Sequence, residues 1–168
     1  MLDERRVVVL DFERTVTASL VSSKREAGQS WAPDVGEGRL PCVRGFLRAL
    51  GEAPNVDVVL MSTHCTEEAM AECLQELELA QHVSVICDCH TLAEGNGHGT
   101  SDAEAKQVLL SELVLEHSLQ PHEILAIDAD GECLRGAPCR TLHVEGGRGV
   151  SEAEVQRALI MLGLEPDY

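Results

Sequence analysis

Asp11, Glu13 and Thr15 stand at alternate positions directly after the apolar run Val7 to Leu10, in the stretch VVVLDFERT. A second acidic group, Asp128, Asp130 and Glu132, follows the run Ile124 to Ile127 in ILAIDADGE, and the hydroxyl pair Ser62-Thr63 follows a third run, VDVVLM. A carboxylate just past the end of a buried strand lies where open α/β sheets place their ligands, in the crevice beyond the carboxyl ends of the strands. There it can act as a nucleophile or hold a hard cation through oxygen. Aspartate is also a common strand terminator, so one such residue carries little weight. Asp11, Ser62 and Asp128 closing separate apolar runs form a pattern that turn chemistry alone does not explain.

Charge narrows the partners. With 29 acidic against 13 basic side chains, the chain carries a net charge of -16. Nucleic acid and anionic membranes are therefore repelled at long range. An anionic small substrate needs a local cation, which points to a metal ion. No apolar run approaches the roughly 20 residues of a membrane span, and Asp3, Glu4 and Asp11 bracket a first apolar run too short and too acidic for an export signal. A cytoplasmic setting is expected, with the seven cysteines reduced.

The elements that must position these residues alternate along the chain. Strands are expected at Val7–Leu10, Val56–Met61, Val83–Cys87 and Ile124–Ile127, with a weaker fifth at Thr141–Val144. Two of these, Val7–Leu10 and Ile124–Ile127, are continuous apolar runs of the kind a two-sided parallel sheet requires, and Val56–Met61 is broken only by Asp57. Between them fall helical patterns. Pro41 opens one whose Val43, Phe46, Leu47 and Leu50 share a face, with Gly51 as its stop. Thr66 caps a second, running to Leu77 with Met70, Cys73 and Leu74 on its buried side. Ser101 and Glu104 form a capping box for a third, which carries Lys106 in its first two turns, and Ser151 and Glu154 form another for the last. Residues 16–40 read as a long polar loop holding Trp31, expected to pack against its own domain. Strands alternating with helices give a single α/β domain over residues 1–168, a Rossmann-like three-layer sandwich around a parallel sheet of about five strands.

In the order in which they occur, these residues resemble the motifs of the haloacid dehalogenase (HAD) superfamily of phosphatases. Asp11-Phe12-Glu13-Arg14-Thr15 is similar to its DxDxT motif, Ser62 to the hydroxyl after the second strand, Lys106 to the third-motif lysine, and Asp128, Asp130 and Glu132 to the acidic fourth motif. PCVRGFLRAL, residues 41–50, resembles a helix of capless branches related to magnesium-dependent phosphatases. Only about 45 residues separate Asp11 from the second strand, which leaves room for a minimal cap insertion or none.

The resemblance implies a Mg²⁺-dependent phosphomonoesterase. Asp11 would be the nucleophile that forms an aspartyl-phosphate. Mg²⁺ would be held by Asp11, the Glu13 carbonyl and Asp128, with Asp130 or Glu132 ligating directly or through water. Ser62, Thr63 and Lys106 would bind the phosphoryl group, Lys106 also neutralising the nucleophile. An open site suits a phosphoprotein, or a phosphorylated small molecule if an oligomer partner covers it. The oligomeric state is left open by these motifs.

Glu13 departs from the pattern, because the family places its general acid and base, an Asp, at this position. The intrinsic pKa of Glu is nearly that of Asp, but its extra methylene moves the carboxylate. The alternatives are a working phosphatase with a shifted acid, a slow one, or a catalytically impaired phosphate-binding or interaction protein. Ala129 is a second departure, where capless relatives often carry another acid. A phosphoacceptor receiver domain also joins Asp, Thr or Ser and Lys, but it needs the phosphorylated Asp on a later strand. Cys87, Cys89, His90 and His98 cluster without common zinc spacing, and EGNGHGT, residues 94–100, lacks a dinucleotide fingerprint. His64 either faces solvent or touches substrate.

Overall fold

Five parallel strands form one sheet in the order β3-β2-β1-β4-β5. They are β1 (Arg6–Asp11), β2 (Val56–Ser62), β3 (Val85–Asp88), β4 (Ile124–Asp128) and β5 (Arg140–His143). The computed structural model describes residues 4–18, 21, 26, 28–89 and 101–164. β4 is buried along its whole length, whereas β3 and β5 at the edges are only partly buried. This is why β1 and β4 read as unbroken apolar runs and β5 reads weakly.

Alternation along the strands sorts the core into two layers. Val8, Leu10, Val58, Leu60, Leu125 and Ile127 point to one face, while Val7, Val9, Val59, Met61, Ile124 and Ala126 point to the other. The first face is covered by α2 (Leu40–Glu52), α3 (Glu67–Glu76) and α6 (Glu152–Met161). The second is covered by α4 (Asp102–His117), which contributes Ala105, Leu109 and Leu110. The caps form as their sequences require. Thr66 accepts from the Ala69 N–H and Ser101 from the Glu104 N–H, and Ser151 and Glu154 make a reciprocal box.

Two expectations need correction. Gly51 does not stop α2, which continues through Glu52 and ends where Ala53, preceding Pro54, turns extended. Gly51 instead admits His82, whose Cβ would lie 2.5 Å from any Cβ added at residue 51. The latter part of residues 16–40 is also not a loop. It folds into the one-turn helix α1 (Ala32–Val35) and a tight turn at Glu37–Arg39. Trp31 is 2% exposed and meets Phe12 edge-on at 5.6 Å, and its backbone N–H donates to Glu76 at 2.7 Å. This segment is part of the core beneath the β1 turn. The Gly-rich stretch 94–100, His90 and His98 lie outside the described residues.

Candidate active site

β1 is the central strand, with β2 on one side and β4 on the other, so the chain reverses its direction of travel across the sheet at the carboxyl end of β1. That is the crevice where open α/β sheets bind ligands. Asp11 ends β1 and Asp128 ends β4, and both carboxylates are buried. Lys106 reaches them from α4, which packs on the second face of the sheet. Its Nζ lies 3.1 Å from Asp11 Oδ1 and 2.8 Å from Asp128 Oδ2.

The turn after Asp11 gives the motif its shape. Phe12 drives into the core, fully buried, while Glu13 is extended and Arg14 takes the left-handed region at φ 59°. A non-glycine residue held there stores roughly 1–3 kcal/mol of strain and persists only where its surroundings impose it. Here they do. The Arg14 N–H donates to Thr17 Oγ1, the Thr17 N–H to the Phe12 carbonyl, and the Val150 N–H to the Thr15 carbonyl. Arg39 clamps the turn from behind, donating to the carbonyls of Val35, Thr15 and Val150. Thr15 itself is fully buried and its hydroxyl meets no described partner.

The loop after β2 closes the other wall. The Ser62 hydroxyl donates to Glu13 Oε1 at 2.8 Å and accepts the N–H groups of His64 and Cys65 at 3.1 and 2.9 Å. Glu13 Oε2 accepts the Val21 N–H at 3.3 Å. Thr63 is buried and lines the cavity beside Lys106. At the rim, His64 Nε2 lies 3.0 Å from Asp102 Oδ2, linking the β2 loop to the start of α4. The cavity so formed is open and measures about 160 Å³. A larger, shallower cavity of about 360 Å³ beside Arg39 and Arg148 has no strand-end acid in its wall.

Electrostatics follow from burial. Loss of water pushes the Asp11 carboxyl well above its ordinary value. Lys106 pulls it down, but Asp128 and Glu13 add to the rise. Burial also disfavours the Lys106 ammonium, yet Asp11 and Asp128 outweigh that and hold it firmly charged. Cys89 and Cys133, both near Lys106, are pushed up to about 12, chiefly by burial. The shift favours the thiol form, the less nucleophilic state of cysteine.

Two buried strand-end acids thus share one buried ammonium, with Glu13 buried beside Asp11, an acidic setting that a divalent cation would complement. No three His, Cys, Asp or Glu side chains among the described residues converge as a metal cage. The Asp11 and Asp128 carboxylates are hard-oxygen donors of the kind that suit Mg²⁺, which keeps several of its waters. The other predicted acids are engaged locally. Asp130 caps the one-turn helix α5 (Gly131–Leu134), accepting from the Glu132 N–H at 3.0 Å, while its own N–H donates to Asp128 Oδ1. Its carboxylate nonetheless borders the cavity. Glu132 is exposed and pairs with Arg135 at 3.0 Å, outside the cavity wall.

The structure therefore brings together Asp11, Glu13, Ser62, Thr63, Lys106, Asp128 and Asp130, and leaves Glu132 aside. Arg14 and Asp102, to which the sequence reading gave no role, also line the cavity. The Arg14 guanidinium makes no bond to a described residue. Its place inside the DFERT motif was the available signal, but its left-handed backbone is not.

A parallel α/β sheet with a lysine bridging two strand-end acids defines the class of site. No protein-family model matches the sequence, and no curated protein is significantly similar to it. Solved structures are similar in fold. An uncharacterized protein from Corynebacterium glutamicum superposes with a TM-score of 0.59 at 17% identity, covering 97% of this chain and 98% of that one. The haloacid dehalogenase-like hydrolase SP0104 from Streptococcus pneumoniae gives 0.52 at 13% identity, covering 99% and 94%. The L-2-haloacid dehalogenase of Xanthobacter autotrophicus, solved with chloropropionic acid covalently bound, gives 0.52 at 11% identity, covering 96% and 85%. The chain has the fold of the haloacid dehalogenase-like hydrolases.

Proposed function

We propose that the protein is a Mg²⁺-dependent phosphomonoesterase working through an aspartyl-phosphate on Asp11. The observation that carries this reading is Lys106, buried between Asp11 and Asp128 at 3.1 and 2.8 Å. Phosphoryl transfer asks a protein for positioning and cations more than for covalent novelty. One buried lysine on two buried acids is the frame for such a site.

Bound Mg²⁺ would supply charge neutralisation to the phosphoryl oxygens, held by Asp11, Asp128 and the Glu13 carbonyl. The steps belong to the chain. An Asp11 carboxylate oxygen attacks phosphorus, and the bond from phosphorus to the ester oxygen breaks as Glu13 gives that oxygen a proton. A water then attacks the phosphorus of the aspartyl-phosphate and gives its proton back to Glu13. The bond from Asp11 to phosphorus breaks, releasing inorganic phosphate and restoring both carboxyl groups.

The cavity favours a substrate that presents only its phosphate. At about 160 Å³ it is smaller than the roughly 300–1,000 Å³ that enclose a drug-sized ligand. The rest of the substrate then lies outside, past Arg14 at the mouth, as it would for a phosphoprotein or other bulky phosphomonoester. The test is Mg²⁺-dependent hydrolysis of p-nitrophenyl phosphate. Turnover that disappears with Asp11→Asn is expected. Phosphate binding without turnover, over a range of pH and divalent metals, would instead make this a phosphate-binding protein.

A further inference from the structure

A serine hydroxyl has one proton to donate and two lone pairs to accept with. In Ser62 all three are engaged: the proton on Glu13 Oε1 at 2.8 Å, and the lone pairs on the N–H groups of His64 and Cys65 at 3.1 and 2.9 Å. The side chain is 0% exposed. A phosphoryl oxygen could reach this hydroxyl's proton only by displacing Glu13. Thr63, the next residue, is buried yet lines the cavity, and its hydroxyl is engaged by no described residue.

Geometry explains why Glu13 is the partner. β1 and β2 are adjacent and parallel, with Asp11 opposite Met61, so Ser62 stands one residue beyond the register of the nucleophile. A carboxylate leaving the β1 turn must cross the gap between neighbouring strands, roughly 4.8 Å, to reach the β2 loop. Glutamate reaches one carbon–carbon bond, about 1.5 Å, further than aspartate. The Val21 N–H on Oε2 holds the other oxygen, so the carboxylate is fixed at both ends.

We propose that Ser62 is a positioning residue for Glu13, and that Thr63 takes the phosphoryl oxygen contact that the family resemblance gives to Ser62. The pairing of a longer acid with a saturated serine is one device: Ser62 aims the proton carrier and Thr63 receives the anion. This rests on the proposed phosphomonoesterase reading, and its test keeps binding separate from turnover.

The test combines steady-state hydrolysis of p-nitrophenyl phosphate with equilibrium titration of inorganic phosphate, both in Mg²⁺. Ser62→Ala should lower kcat on the order of 100-fold, the usual result of misplacing a reacting group by about 1 Å. Inorganic phosphate affinity should stay within about twofold of wild type. In a Glu13→Gln background the same substitution should cost nothing more, because neighbours acting as a unit are not additive. Ser62→Thr, which keeps the hydroxyl, should recover most of kcat. Thr63→Val should weaken inorganic phosphate about tenfold, the effect of roughly one hydrogen bond.

The proposal is overturned if Ser62→Ala weakens phosphate binding, or if its loss of rate persists in the Glu13→Gln background. Thr63→Val needs no change at Ser62, so it decides the matter even if Ser62→Ala fails to fold. Unchanged phosphate affinity in Thr63→Val would also overturn the assignment. If the wild type binds phosphate without hydrolysing the ester, the enzymatic reading fails, while the titrations still decide which hydroxyl receives the anion.

Discussion

Replacing Glu13 by Asp would restore the residue that the family pattern places there, and the structure predicts that doing so harms the protein. Shortening the side chain by one carbon–carbon bond, about 1.5 Å, draws the carboxylate away from Ser62 Oγ, now at 2.8 Å, and from the Val21 N–H, now at 3.3 Å. Neither contact survives such a retreat. The fully buried Ser62 hydroxyl is then left without an acceptor, which costs about 1–3 kcal/mol. In a domain of this size each kcal/mol lowers Tm by roughly 2–4 °C, so a fall of about 2–12 °C is expected. Turnover should fall on the order of 100-fold from the lost placement. Thermal melting and Mg²⁺-dependent hydrolysis of p-nitrophenyl phosphate measure the two effects. A Glu13→Asp protein that is faster than wild type with an unchanged Tm would refute the reasoning, because the two anchors on Glu13 would then do nothing.

Other substitutions probe the charge balance. Lys106→Met leaves Asp11 and Asp128 buried without their shared cation, and breaking a buried pair in this way costs about 3–5 kcal/mol; melting curves should show the loss, with Mg²⁺ recovering part of it. Asp11→Asn acts in the opposite direction. Burial raises the folded-state pKa of Asp11, so its contribution to stability is present below the ordinary carboxylate value and is lost as pH rises through the raised one. Without metal at neutral pH, Asp11→Asn should therefore melt higher than wild type. The gap should close in acid and narrow with Mg²⁺, and a variant that melts lower throughout would contradict this. Arg14→Ala should raise KM about tenfold, roughly 1.4 kcal/mol, with kcat little changed; an unaltered KM would remove Arg14 from substrate binding.

Much of this architecture could be read from the chain because buried parallel strands announce themselves. VVVL, VDVVLM and ILAI are two-sided strands, and each gives way to a polar residue at the same edge of the sheet. The caps at Thr66, Ser101 and Ser151 were equally local, hence legible. What stayed hidden depends on contacts between segments distant in sequence. Gly51 looks like a helix stop until His82 is seen pressed against it. Asp130 looks like a metal acid but also caps α5, and only the folded chain shows its carboxylate accepting the Glu132 N–H. The engagement of Ser62 by Glu13 spans 49 residues and follows from strand order, which no local pattern contains. The left-handed Arg14 is imposed by Thr17, Arg39 and Val150 through the turn they hold.

The nucleophilic role of Asp11 is the claim on which the proposed activity stands, and trapping its phosphoryl adduct tests it most directly. The protein is mixed with p-nitrophenyl phosphate and Mg²⁺, quenched in acid during turnover, digested, and analysed by mass spectrometry. The account predicts a phosphoryl group on Asp11, absent without Mg²⁺ and absent from the Asp11→Asn protein. Hydrolysis that continues in Asp11→Asn, or a phosphoryl group carried on another residue, would contradict it.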